Sequence, residues 1–442
     1  MRKLEEIYVA IWCVVMPITG TVLLPVQGTI PAYVLAFGSL ILVFMKVRSG
    51  EIPPSVMRYL KTFLSLFLVW LMLLVASQLG LMASGRRDFG SVNMIDMDDN
   101  TVLFRRTMFT QSLYFLACVL IALYFRNFFK PRWMRYVHWG GYLLAGYGIY
   151  EWTFYLIFHQ TGDFLVNRSF GEHTASWSQA VSFGGLDLLR IKSTLGEPTF
   201  FTAAVLPYLF LALDARKWVL SAMLLFTAIG STSTACYLAL PTVLFVQTFW
   251  TRRIRWPYLA ILAFFGFVVL VIALAYPDTF RGMFTDKFNG DNDSGAIRKD
   301  NALALQELYG TFTIPNWIFG LGFGYAYLNI YDALVVNTGI IGLAVFLWAF
   351  LRPAIFLPTT EGYEGLKAGL LSILLLSGIS LSELYLPPTW MFLGLSWFAL
   401  TEYNRSRADA AAQAARVPPS FLPSSLATPE EVEKHPSLPG RS

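Results

Sequence analysis

The chain has 442 residues, 56% of them hydrophobic and 14% charged, with a mean hydropathy of +0.54 and a formal net charge of +5. A soluble globular chain carries about 25% charged residues, and here the apolar residues fall in runs close to the ~20 that cross a bilayer as a helix. The composition therefore excludes an ordinary soluble protein, and the three cysteines (Cys13, Cys118, Cys236) all lie in apolar runs with no disulfide or zinc spacing.

Twelve apolar segments succeed one another in chain order, at about 8–24, 29–46, 61–82, 107–125, 136–158, 199–214, 218–231, 234–250, 257–275, 337–352, 367–384 and 387–402. The first has no convincing small-residue cleavage site and reads as a span, not a signal peptide. The seventh and eighth are short, and Ser231-Thr232-Ser233-Thr234 between them reads as a tight hairpin or a break. Trp133, Trp152, Trp218, Trp250 and Trp256 stand at span ends, as in interfacial belts. The expected fold is all-α: a polytopic membrane protein with about twelve transmembrane helices and large outer loops containing short helices.

With the N-terminus in the cytoplasm, 22 of the 33 Lys and Arg fall on inner segments, mostly short loops. This is the positive-inside pattern. It implies an even number of spans with both termini cytoplasmic, and it accounts for the positive charge without a nucleic-acid partner. Residues 1–403 form the membrane domain, with outer loops at about 83–106, 159–198 and 276–336. Residues 404–442, rich in Ala, Pro and Ser, read as a disordered cytoplasmic tail.

The outer loops hold the candidate chemistry. In 159–198, Arg168, Glu172, His173 and Trp177 precede Arg190, Lys192, Glu197 and Pro198. A proline after Glu197 biases that residue away from helix and suits the first turn of the apolar helix expected from 199. In 276–336, "DNDSGAIRKDNALALQELYG" has a helical pattern ending at Gly310, in which Arg298, Ala302, Leu305 and Tyr309 share one face. A cation near a helix N-terminus on a packed face needs an anionic partner. That partner is either a carboxylate of the protein or an anionic substrate. Gly320, Gly322 and Gly324 then suggest a close backbone turn. Tyr325, Tyr327, Asn329, Tyr331 and Asp332 suit either a sugar site or an aromatic belt. Glu151 and Glu383, within or at the ends of spans, are functional candidates by the cost of charge in lipid.

Four blocks, "RIKSTLGEPTFFTAA", "STSTACYLAL", Arg298 with "FGLGFG", and "NTGIIGLAVFL", stand in an order that resembles the bacterial O-antigen ligase/polymerase superfamily of membrane glycosyltransferases. That superfamily includes Wzy-type exopolysaccharide polymerases. The resemblance covers roughly residues 185–345. Leu328 stands where ligases of the superfamily carry a histidine, which favours a polymerase. The resemblance implies polymerisation of polyprenyl-diphosphate-linked oligosaccharide units at the outer face of the bacterial inner membrane, for an O-antigen or other surface or exported polysaccharide. It implies membrane lipid, flippase and chain-length-regulator partners. Arginines suit the developing charge of a diphosphate leaving group. Arg190 and Arg298 take that role, Lys192 assists, and Glu197 is either the general base or the ion partner of Arg190. Tyr325, Tyr327, Asn329, Tyr331 and Asp332 are the substrate-binding candidates. No cofactor and no metal are expected. The rival readings are a ligase and a transporter of an anionic solute.

Overall fold

The computed structural model describes residues 2–26, 28–47, 53–86, 88–168, 179–183, 186–251, 255–291 and 293–416. The first nine helices are α1 (Arg2–Val15), α2 (Pro31–Val47), α3 (Pro54–Ser84), α4 (Arg106–Phe128), α5 (Met134–Phe158), α6 (Pro198–Asp214), α7 (Trp218–Gly230), α8 (Thr234–Thr251) and α9 (Trp256–Ala275). Four short or polar helices come next: α10 (Pro277–Met283), α11 (Thr285–Asn289), α12 (Asp293–Gly310) and α13 (Ile314–Phe319). The last three are α14 (Ile330–Phe356), α15 (Glu364–Ile379) and α16 (Pro387–Arg416).

Each of the twelve segments expected from hydropathy falls on a helix, α1 to α9 and α14 to α16. By length and composition, α3, α4, α9 and α14 are long and apolar enough to cross a membrane, and the protein is read as membrane-embedded on that basis. Local chemistry sets the helix bounds. Proline occupies the first turn of α3, α6 and α9, where its missing N–H costs nothing. Gly85 ends α3 with a left-handed φ of 61°. The first helix lies at 2–15, not 8–24, because Pro17 stops it early.

Three further features depart from the sequence expectation. The 159–198 segment contains a small antiparallel hairpin, β1 (Ala180–Phe183) and β2 (Leu186–Leu189), with Val181 opposite Leu188. On α12 the buried residues include Gly295, Ala304, Leu305 and Leu308, while Arg298 and Ala302 are exposed, so the face that carries Arg298 is only partly packed. And α16 runs through Asn404 to Arg416. Its alanine-rich end has high helix propensity, so residues 404–416 are helical where a disordered tail is expected.

Helix ends are tied together at two opposite poles. At one pole, Glu5 at the start of α1 accepts Lys130 from before α5 at 2.8 Å and pairs with Lys46 at the end of α2. There Arg255, before α9, pairs with Glu364 of α15 at 2.9 Å and lies 3.7 Å from Asp214 at the end of α6. At the other pole, Tyr33 at the start of α2 donates to the carbonyl of Tyr385 before α16. The amide of Ile330 at the start of α14 donates to the Leu381 carbonyl after α15, at 2.9 Å. These ties make the long helices alternate in direction. They also gather the 159–197 segment and the 276–329 segment at the second pole.

Candidate functional site

The site is assembled from three stretches at the second pole. The first is the strand exit before α6. The main-chain N–H of Arg190 donates to the Gln179 carbonyl at 2.8 Å, and that of Ile191 donates to the Gly230 carbonyl at 3.0 Å. The guanidinium of Arg190 donates to the Ser231 carbonyl at 3.3 Å and to the Gln179 side chain. Arg190 is thereby held over the break between α7 and α8, where Thr232 takes a positive φ of 44°. Gly196, at φ 82°, turns the chain so that Glu197 precedes α6 in an extended conformation.

The second stretch is α11 to α12. Lys287 on α11 donates to the Thr234 hydroxyl at the start of α8, at 3.4 Å. Arg298 projects from the exposed flank of α12. The third stretch surrounds the start of α16. Glu383 pairs with Arg168 at 3.3 Å, and Ser382 donates to the Tyr327 hydroxyl at 2.9 Å.

These groups act on one another electrostatically. Burial raises the pKa of the Glu197 carboxyl, while the Thr199 hydroxyl, Arg190 and Arg298 pull it down and Glu383 adds to the rise. Burial lowers both Arg190 and Arg298, and Glu197 opposes the shift in each. Lys287 is pushed down to about 8, by burial first and then by the charges of Arg298 and Arg190, with Glu197 opposing. Arg190, Lys287 and Arg298 thus all lie within electrostatic reach of Glu197, and among the described residues none of them pairs with it within 4 Å. An excess of positive charge beside a partly dry, accessible surface is an anion-binding arrangement.

Arg190, Glu197 and Arg298 are brought together. Tyr327 lies at the edge of the same cluster, its hydroxyl pKa raised by burial and by Glu383 and Glu197. Lys287 was missed: a lone lysine in a polar loop carries no sequence signal, and only the fold sets it beside the two arginines.

Other candidates have different places. Lys192 is fully buried, 3.3 Å from Glu151 and paired with Asp163, both also buried. The expected contact with substrate is replaced by an internal ion triad, because the chain turns inward after Arg190 and seats Lys192 between α5 and the segment just after that helix. Tyr325 is also fully buried. Its hydroxyl donates to Gln78 at 3.1 Å and accepts the Arg105 amide at 3.2 Å, so it is a packing residue and not a sugar contact. Tyr331 donates to the Leu374 carbonyl at 2.6 Å, which ties α14 to α15. Asn329 stands at the N-terminal cap position of α14. Asp332, half-buried, lies near Tyr309 of α12. Leu328 is buried. Glu172, His173 and Trp177 lie outside the described residues.

The glycine motifs have a packing cause. A Cβ on Gly339, φ 68°, would stand 2.1 Å from the Ile318 carbonyl oxygen, and one on Gly320, φ 75°, would stand 2.5 Å from the Thr338 amide. The two main chains touch there, and Asn337 secures the contact. Its side-chain oxygen accepts the amides of Tyr325 and Ala326 at 3.1 and 2.8 Å, and its amide nitrogen donates to the Ala326 carbonyl at 3.1 Å. A cavity of about 400 Å³, lined by Ser84, Arg86, Asp88, Ser91, Glu307 and Thr311 among others, opens farther along α12. None of Arg190, Glu197, Lys287 and Arg298 lines it.

No family model, curated protein or solved structure matches the chain.

Proposed function

We propose that the chain is a membrane glycosyltransferase that polymerises polyprenyl-diphosphate-linked oligosaccharide units, and that Arg190, Glu197, Lys287 and Arg298 are its reaction centre. The observation that carries the reading is that Arg190 and Arg298, from separate loops, both lie within electrostatic reach of the half-buried Glu197. On this reading the twelve apolar helices all span the bilayer of a bacterial inner membrane. Both termini are cytoplasmic and the cluster faces outward, where the positive-inside bias leaves long loops.

The chemistry is set by the charges. A new bond forms between the acceptor hydroxyl oxygen and the anomeric carbon of the donor glycan. The bond from that carbon to the diphosphate oxygen breaks, and the electron pair leaves with the polyprenyl diphosphate. Arg190 and Arg298 donate charge-assisted hydrogen bonds to the diphosphate as its charge grows, and Lys287 adds a third cation. Glu197 takes the proton of the acceptor hydroxyl, and its raised pKa suits it to hold that proton. Tyr327 offers a ring and a hydroxyl beside this point. The cavity with Asp88, Ser91 and Glu307 suits the hydroxyls of the glycan farther from the bond.

The test is to incubate the purified protein with a lipid-linked repeat unit. A ladder of longer products supports the reading. A single transfer to another acceptor supports a ligase, and solute flux without turnover supports a transporter.

A further inference from the structure

Three arginines at the opposite pole stand apart from the ion pairs around them. Arg58 is on the second turn of α3, Arg126 is on the last turn of α4, and Arg352 is near the end of α14. Arg126 lies 4.7 Å from the centroid of the Trp397 ring on α16. Arg352 lies 5.5 Å from the same ring and 5.4 Å from Trp348. Arg126 is close enough to feel the charges of both Arg58 and Arg352. Like charges so placed repel, and an aromatic face offsets only part of that cost.

Several neighbours at this pole are matched with a carboxylate. Arg132 and Arg135 pair with Glu6 at 2.9 and 3.2 Å, and Arg255 pairs with Glu364. Among the described residues, no carboxylate lies within 4 Å of the guanidinium of Arg58, Arg126 or Arg352. Arg58 and Arg126 instead line a cavity of about 200 Å³ with Thr62, Asn127, Thr401 and Glu402. Glu402 is the one carboxylate among these lining residues. The Thr401 hydroxyl donates to the Trp397 carbonyl and one Asn127 N–H to the Leu123 carbonyl. This leaves two guanidinium groups, the Thr62 hydroxyl and the other Asn127 N–H as donors for a phosphate, and a fork of guanidinium N–H groups fits its oxygens.

The surroundings indicate the source of that phosphate. Met57, Leu60 and Leu64 beside Arg58 on α3, and Trp348, Ile355 and Phe356 beside Arg352 on α14, are large apolar side chains left exposed. The cations therefore crown an apolar surface of the kind that acyl chains cover. We propose that this cavity binds the phosphate of an anionic phospholipid headgroup, whose acyl chains lie along the exposed faces of α3 and α14. Basic pockets between helices on the cytoplasmic side are where such headgroups settle. This site is independent of the reaction proposed above.

The test uses the full chain purified in detergent, with bound lipid counted by native mass spectrometry during titration with phosphatidylglycerol or phosphatidylcholine. We expect phosphatidylglycerol to bind about tenfold more tightly, because both lipids offer a phosphate but only phosphatidylcholine brings a quaternary ammonium that the arginines repel. The double variant R58Q/R126Q should lose that preference, and R132Q/R135Q, which removes the same net charge at the same pole, should keep it. Arg58→Gln alone, at an exposed position, should show a partial loss and serves if the double variant does not fold. Equal affinity for the two lipids, an unchanged preference in the arginine variants, or displacement of phosphatidylglycerol by an equal concentration of inorganic phosphate would each overturn the proposal.

Discussion

Arg298, exposed on α12, and Arg190 both act electrostatically on the Glu197 carboxyl, although the first lies in the loop after α9 and the other two precede α6. If this centre stabilises a leaving diphosphate, replacing either arginine by glutamine should lower polymer formation by about 10²–10³-fold, the range for removing one donor to developing charge. Arg190→Lys should restore little, since an ammonium cannot form the guanidinium fork that reaches Ser231, Gln179 and a phosphate together. Initial rates of chain extension at saturating lipid-linked substrate measure this. Full activity in the lysine variant would remove the directional role of Arg190.

Glu197→Gln separates base from ion partner. As the base, its loss should cost about 10²–10⁴-fold in turnover. As a mere counter-ion to Arg190 it should change thermal stability and substrate affinity but leave turnover within a few-fold. The pair of readouts, turnover number against KM, decides between them.

Lys287 gives a pH signature. Its pKa is pushed down to about 8, so it is charged below that value and neutral above it. A cation that helps to draw in a diphosphate should make kcat/KM fall as pH rises through about 8, because kcat/KM reports the free enzyme. Lys287→Arg should move this fall to higher pH, and Lys287→Gln should abolish it while lowering the rate at pH 7. A wild-type profile that stays flat from pH 7 to 9 would contradict the assignment.

Lys192→Met should act on stability, not on substrate affinity. It leaves the carboxylates of Glu151 and Asp163 buried without their cation. Breaking such a group by removing one partner costs about 3–5 kcal/mol. We expect a large drop in the thermal midpoint of the purified protein and low yield in membranes. A stable variant with a raised KM would return Lys192 to the substrate surface.

Gly339→Ala should destabilise the junction of α13 and α14, through the contact with Ile318 and the left-handed φ, by at least about 1–3 kcal/mol. Asn337→Ala should do so by leaving buried amides unmatched. Thermal unfolding checks both, and Gly266→Ala, a helical glycine with open space around it, is the comparison.

The helices were legible because they lie in long apolar runs, and α2 to α9 were placed within a few residues by that rule, apart from an earlier start to α3. The errors have local causes. Pro17 ended α1 early, alanines carried α16 past Asn404, and the 180–189 hairpin left no alternation long enough to notice. Of the candidate site, Arg190, Glu197 and Arg298 were visible as charges on long polar loops. Sequence could not separate Arg190 from Lys192, two residues on, although one lies over the α7–α8 break and the other is sealed inside. Nor could it tell Tyr325, which is core, from Tyr327, which is accessible, because both read as loop aromatics.

The most direct measurement is the product ladder made from a purified lipid-linked repeat unit by the wild-type chain, by Arg298→Gln, and by Arg281→Gln. Arg281 is an exposed residue of the same loop as Arg298, paired with Asp286 at 3.2 Å. The account predicts a ladder from the wild type and from Arg281→Gln, and almost none from Arg298→Gln folded to the same thermal midpoint. A ladder of equal length and rate from Arg298→Gln would contradict it.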